Sequence, residues 1–188
     1  MLLMLLGLVI FLGAHAFTTM RAQRAAVIAR IGEGPYKGLY SLVSLVGLVL
    51  IAWGYAQSRA EGQLLIWAPP VWSRHLALGL MIPASVLLVA TYVPSHIRTW
   101  LKHPMLVAIK IWAVAHLIAN GDAATMLLAL AVLAWAVFVR ISMKRRDEPP
   151  KPAPSGWTGD AVAVVAGLAV FAFLAYLFHP YVIGVPII

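Results

Sequence analysis

Six histidines and no cysteine decide which chemistry this 188-residue chain can do: His15, His75, His96, His103, His116 and His179. Two of them sit deep in apolar runs. His15 lies in Phe11-Leu12-Gly13-Ala14-His15-Ala16-Phe17, and His116 lies in Ile109-Lys110-Ile111-Trp112-Ala113-Val114-Ala115-His116-Leu117-Ile118-Ala119-Asn120, which also carries Lys110. A polar side chain in hydrocarbon is costly unless it finds a partner, so each of these residues asks for one: a metal cofactor, a substrate or another side chain. Zero cysteines exclude disulfides, thiolate nucleophiles and iron–sulfur or haem–thiolate ligation. There is no His-Glu-x-x-His pattern and no Gly-x-Ser-x-Gly, and no carboxylate is expected within a span, which argues against a zinc hydrolase or a serine hydrolase. Imidazoles on separate apolar helices suit a b-type haem (heme b) held by axial histidines.

The neighbours of the two histidines agree with that chemistry. Gly13, Ala14 and Ala16 around His15 leave room for a flat macrocycle, with phenylalanines to pack on it. His116 has Ala113, Ala119 and Trp112 one turn away, and Asn120 at i+4 is placed to fix its tautomer or to hydrogen-bond a ligand. The plainer reading of either residue is a histidine paired to a backbone carbonyl or a serine in a helix bundle. His103 and Lys110 share a helix face, whereas His116 is roughly 20 Å further along the helix than His103, so those two histidines cannot hold one iron. Lys110 is expected to meet a haem propionate or an anionic substrate, or simply to snorkel. His103 before Pro104 reads as a helix cap, His75 and His96 as interfacial, and His179-Pro180 as a polar terminator. No catalytic residue is assigned from these patterns.

The elements that must position these residues follow from hydropathy. With 63% hydrophobic and 11% charged residues and a mean hydropathy of +0.92, the chain carries more apolar surface than a soluble domain of this size can hide. The expected fold class is all-α, a polytopic transmembrane helix bundle of about six spans in one domain over 1–188. The spans fall at roughly 2–19, 38–56, 74–93, 104–119, 122–140 and 159–178, each near the ~20 residues that cross a bilayer. The first is read as a retained helix rather than a cleaved signal peptide. Asn120-Gly121-Asp122 predicts a tight turn and an antiparallel hairpin of the two helices around it. A cytoplasmic proline-rich linker is expected near 147–156, and Ser41, Ser44 and Gly47 predict a close helix contact.

The net charge of +8 does not point to nucleic acid, because the basic residues stand at the ends of apolar runs. Arg21, Arg24, Arg30 and Lys37 fall in or beside the first loop, Arg98 and Lys102 in the third, and Arg140, Lys144, Arg145, Arg146 and Lys151 in or beside the fifth. The second loop holds Arg59 and Arg74. The positive-inside rule then places both termini outside the cytoplasm.

Four stretches resemble the NnrU family of bacterial membrane proteins, whose plant relative is 15-cis-zeta-carotene isomerase. They are Phe11-Leu12-Gly13-Ala14-His15 followed by Arg21; Tyr36-Lys37-Gly38-Leu39-Tyr40-Ser41-Leu42-Val43-Ser44-Leu45; Lys102-His103-Pro104-Met105-Leu106; and Trp112 through Asp122. Phe178-His179-Pro180 is similar to the ending of the plant enzyme. The resemblance implies a location in the bacterial inner membrane and a b-type haem with His15 and His116 as axial ligands, His103 also being important. It further implies either a denitrification-linked role with a nitrogen-oxide ligand or cis–trans isomerisation of a carotenoid.

The simplest topology strains one of these expectations. It sets His15 toward the cytoplasmic end of the first helix and His116 about 5 Å from the outer end of the fourth, whereas ligands of one iron share a depth. Tilt closes part of that gap. In the alternative pairing His15 meets His103, and His116 joins His75 or His179 in an outer cluster able to hold a second cofactor or a metal ion. Two other functions compete: a transporter or assembly factor that handles a small anion through Lys110, and an accessory bundle docking through its small residues as a homo-oligomer or within a larger membrane complex.

Overall fold

A computed structural model describes residues 1–145 and 154–187. The linker expected near 147–156 lies outside the described residues apart from Pro154-Ser155-Gly156. The chain is all-helical: α1 (Leu2–Phe17), α2 (Arg21–Ile31), α3 (Glu33–Ala60), α4 (Val71–Ala90), α5 (His96–Leu101), α6 (Pro104–Ala119), α7 (Ala123–Lys144) and α8 (Thr158–Phe173), the last continuing as a π-helical segment, Leu174–Ile183. Each of the six apolar segments is a helix. Four of them (α3, α4, α7 and α8 with its π extension) are long and apolar enough to cross a bilayer. A fifth does so if α1 and α2, bent by 89°, count as one span. At ~1.5 Å per residue the 16 residues of α6 reach about 24 Å, short of the ~30 Å hydrocarbon layer.

Helix ends and the two short helices depart from the hydropathy reading, for a physical reason. Hydropathy sees the lipid-facing stretch, whereas backbone hydrogen bonding continues into polar residues. So α3 runs five residues ahead of Gly38, with an exposed Lys37–Glu33 pair at 2.8 Å on its first turns. α2 and α5 occupy stretches expected to be loops. Between α1 and α2 the Thr18 and Thr19 hydroxyls donate to the carbonyls of His15 and Ala16 at 2.7 Å, satisfying acceptors that the end of a helix leaves open.

The chain packs as two compact units. The first comprises Met1–Trp67 and Gly121–Arg145, with α1 laid on α3 and both touching α7. Its core is Met4, Leu8, Ile51 and Ala124, with Phe11, Leu12, Tyr55 and Leu127 packed around them. The close approach is made by glycine. A Cβ on Gly7 would sit 2.6 Å from the Ile51 nitrogen, one on Gly47 would sit 2.8 Å from the Phe11 nitrogen, and one on Gly54 would collide with the Met4 backbone. Of the small residues expected at this contact Gly47 lies in it, Ser44 is half-buried with its Oγ out of solvent, and Ser41 is exposed; the glycines that meet α1 stand seven residues apart, Gly47 and Gly54. An isolated bridge between Leu65 and Asp122, with Ala123 N–H donating to Leu64 at 2.9 Å, ties the two sequence segments together. Asp122 caps α7 by accepting from Thr125 N–H at 2.8 Å.

The second unit comprises Ala68–Asn120 and Arg146–Ile188. In it α4 is the central element, packed by both α6 and α8. Buried alanines dominate the contacts: Ala77, Ala84 and Ala90 on α4, Ala108, Ala113 and Ala115 on α6, and Ala163 on α8. Gly167 of α8 rests on the Val86 backbone, where a Cβ would come within 2.5 Å. α6 and α7, expected to form a hairpin, each have their packing partners in their own unit. Asn120, in extended conformation, closes one unit where Gly121 opens the other.

Candidate functional site

In the first unit His15 occupies the last turn of α1. Its Nδ1–H donates to the Phe11 carbonyl at 2.7 Å, one turn back. Three rings surround the imidazole: Phe11 at 4.2 Å between centroids, Tyr40 of α3 at 5.4 Å, and Trp135 of α7 at 5.8 Å, edge on at 86°. Tyr36 lies beside Tyr40 at 6.5 Å, with the Arg24 guanidinium 5.4 Å over its ring. Two polar atoms of this cluster, the Tyr36 hydroxyl and the Trp135 Nε1–H, are buried with no hydrogen-bond partner among the described residues. Buried polar atoms are nearly always paired, so orphans of this kind mark a place where something else binds or where polarity is held in reserve. A Cβ on Gly13 would meet nothing within 4 Å, which leaves the adjacent face of α1 open.

In the second unit His116 stands in the last turn of α6, and its Nδ1–H donates to the Trp112 carbonyl at 2.8 Å. The Trp112 ring covers one side at 4.3 Å. The other neighbour is His179, whose ring centroid is 6.3 Å away with 29° between the planes. His179 lies in the π-helical segment and donates Nδ1–H to the Leu174 carbonyl, five residues back, at 2.8 Å. Pro180 accounts for the widened turn, since it lacks an N–H and its ring clashes with the carbonyl four residues earlier. The outer histidine cluster therefore forms as a pair. His75 is exposed on α4, and among the described residues the rings beside His116 are those of Trp112 and His179. Asn120 does not set the His116 tautomer: its amide donates to the His116 carbonyl at 3.0 Å, and the Trp112 carbonyl fixes the ring instead.

His15, His116 and His179 thus share one arrangement. A carbonyl only accepts, so each ring carries a proton on Nδ1, and in the neutral imidazole the lone pair is on Nε2. Among the described residues no group hydrogen-bonds to any of the three Nε2 atoms. This is the orientation in which metal-binding imidazoles are held, with the distal nitrogen anchored and the proximal one available.

The remaining sequence-derived residues fall elsewhere. His103 precedes Pro104 at the start of α6, the opposite end of that helix from His116, and follows Lys102, which adopts a strained positive φ of 58°. Lys110 is half-buried midway along α6, with no ion pair among the described residues. One cluster was not legible beforehand. Asp160, in the first turn of α8 and only 8% exposed, accepts from the His96 ring at 2.8 Å and from the backbone N–H groups of His96 and Ile97 at 3.2 and 3.1 Å. A carboxylate does therefore occur within an apolar helical segment, contrary to expectation, and it caps α5 from 64 residues away. Trp157 stacks on His96 at 4.3 Å, and a Cβ on Gly159 would collide with the Pro94 carbonyl. The sequence signal was there, an aspartate one position into the last apolar run, but its partner is remote.

These donors do not suit a bare metal ion. Among the described residues no group of three or more His, Cys, Asp or Glu side chains could hold one, and structural or catalytic zinc asks for at least three protein ligands. Single or paired imidazoles with a free Nε2 fit an iron that brings its own four equatorial nitrogens, as a porphyrin does. No curated protein and no solved structure matches the chain. A family model described as NnrU protein matches residues 3–187, running through both units. The chain belongs to the NnrU family.

Proposed function

We propose that this chain is a b-type haem protein of the bacterial inner membrane, with about six spans and both termini outside the cytoplasm, in which His15 of the first unit and His116 of the second are each, separately, an axial-ligand candidate. The observation that carries the reading is the set of imidazoles in apolar helices whose Nδ1–H groups are committed to backbone carbonyls and whose Nε2 lone pairs are not. Haem iron bound there would supply one-electron redox chemistry or an open coordination position for a small ligand. The protein's part is to orient each imidazole through its backbone carbonyl, with Trp112 over the His116 ring and, in the first unit, Phe11 and Trp135 beside the His15 ring. Lys110, on the same helix as His116, is the candidate to meet a propionate, His103 is the alternative ligand candidate, and Asn120 holds the end of the helix that carries His116. Nitric-oxide-linked redox chemistry and cis–trans isomerisation of a carotenoid are the two activities that this arrangement would serve.

The test is an absorption spectrum of the purified protein, oxidised and reduced. A Soret band with reduced b-type peaks is expected from haem-replete cells, diminished by His116→Ala and by His15→Ala. A colourless protein that also fails to take up added hemin would sink the reading.

A further inference from the structure

We propose that the corner where α5 meets the start of α8 binds the phosphate headgroup of an anionic phospholipid. Arg98 and Lys102 are its charge partners, and Trp100 and Trp157 its interfacial anchors. The corner lies within the second unit and is independent of any haem. Depth, charge, aromatic exposure and backbone geometry carry the assignment.

The depth follows from the neighbouring helices. α5 comes after α4, which ends at Ala90, and Trp157 immediately precedes Thr158–Ile183; both helices are long and apolar enough to cross a bilayer. The corner therefore stands where hydrocarbon gives way to headgroups. It is also firmly built, because Asp160 of α8 accepts from the His96 ring and from two backbone N–H groups of α5.

The charge is uncompensated. Residues 91–103 contain Arg98 and Lys102 and no Asp or Glu. Asp160 nearby is only 8% exposed and already spent on α5. Among the described residues neither Arg98 nor Lys102 makes an ion pair, and the Arg98 Nε–H is out of solvent with no acceptor. Such donors are nearly always paired, and a guanidinium fork matches phosphate oxygens. Basic residues at a membrane surface draw anionic headgroups.

The tryptophans are held and yet open. Trp157 and Trp100 pack on the His96 ring at 4.3 and 6.0 Å and on each other at 6.2 Å, but remain 65% and 67% exposed. An indole fixed by protein on one side and open on the rest suits the headgroup layer, where an apolar ring and a polar N–H are both satisfied. A soluble phosphate ion would leave these rings in water, so they favour a lipid as the source of the phosphate. The backbone adds a cost that side-chain function explains. Lys102 is the centre of a γ-turn, with φ at 58° and the His103 N–H donating to the Leu101 carbonyl at 2.6 Å. That turn is rare and strained for a residue with a Cβ, and glycine adopts it freely. A turn that served structure alone would not require a lysine.

The experiment titrates the full-length protein in neutral detergent with short-chain phosphatidylglycerol or phosphatidylcholine, and counts retained lipid by native mass spectrometry. The wild type is expected to bind phosphatidylglycerol about fivefold more tightly than phosphatidylcholine, the effect of one basic residue near a membrane surface. Arg98→Gln should remove most of that preference, whereas Arg30→Gln, which deletes an exposed cation of α2, should leave it. Lys102→Gly removes a charge while relaxing the γ-turn. It should also lower the preference, and it serves as the test if the Arg98 protein does not elute as a folded species. A wild type without the preference, a preference undiminished in the folded variants, or an equal loss in Arg30→Gln overturns the site. Displacement of the lipid by millimolar inorganic phosphate overturns the lipid assignment in favour of a soluble phosphate.

Discussion

The two units hold their histidines in contrasting company. In the first, His15 faces Phe11, Tyr40 and Trp135, and its surroundings include a buried tyrosine hydroxyl and an indole N–H without partners. In the second, His116 faces an indole on one side and another imidazole on the other. The local anchoring is the same in both, a carbonyl one turn back. The difference lies in what the free nitrogen meets. Beside His15 the unspent donors suit a ligand that brings oxygen atoms, whereas beside His116 the neighbour is a second nitrogen base. The packing also differs, since the first unit brings α1 and α3 together through glycines and the second assembles around α4 through alanines.

Four substitutions test this contrast, taken from the largest expected effect to the smallest. His116→Ala should weaken haem binding at least about tenfold, equivalent to ~1.4 kcal/mol or more, as measured by hemin titration. Equal retention of haem in this variant would remove His116 from the ligand candidates. Gly54→Leu, which drives a side chain into the Met4 backbone, should destabilise the first unit by about 3 kcal/mol and lower the thermal midpoint in detergent. An unchanged midpoint would show that the contact of Gly54 with Met4 tolerates a side chain.

Asp160→Ala should lower the thermal midpoint by less than Gly54→Leu does, because it removes the acceptor for the first two N–H groups of α5 and the partner of His96 while leaving the Ser95 cap and the helix contacts in place. An unchanged midpoint would show that the Asp160 contacts contribute nothing to stability. Asn120→Ala removes one amide hydrogen bond to the end of α6 and should cost about 1 kcal/mol, without altering the spectrum. A spectral change in that variant would restore Asn120 to the ligand sphere as the sequence pattern suggested.

Much of the fold is legible in the sequence because lipid exposure writes itself into hydropathy. All six apolar stretches are helices, and the turn residues at 120–122 do end one helix and cap the next. The grouping of helices is not legible, since it depends on which small residues meet across the chain. Gly7 and Gly54 look no different from Gly13, yet the first two touch backbone and the last touches nothing. The site divides in the same way. His15 and His116 stand out because their neighbours are apolar and small. The place of His179 was hidden by Pro180, which reads as a helix stop and in fact widens the helix into a π turn. Asp160 was hidden by the 64 residues between it and His96.

The first unit is discontinuous: its opening 67 residues are completed by Gly121–Arg145, with half of the second unit between them. A chain threaded into the membrane from its N-terminus therefore holds α1 and α3 as a glycine-packed pair through the synthesis of α4, α5 and α6 before α7 arrives. His15 gains its Trp135 neighbour, and Leu65 its bridge to Asp122, only at that late stage. The aromatic surroundings of His15 are thus completed by a helix that follows it by more than 100 residues in the chain.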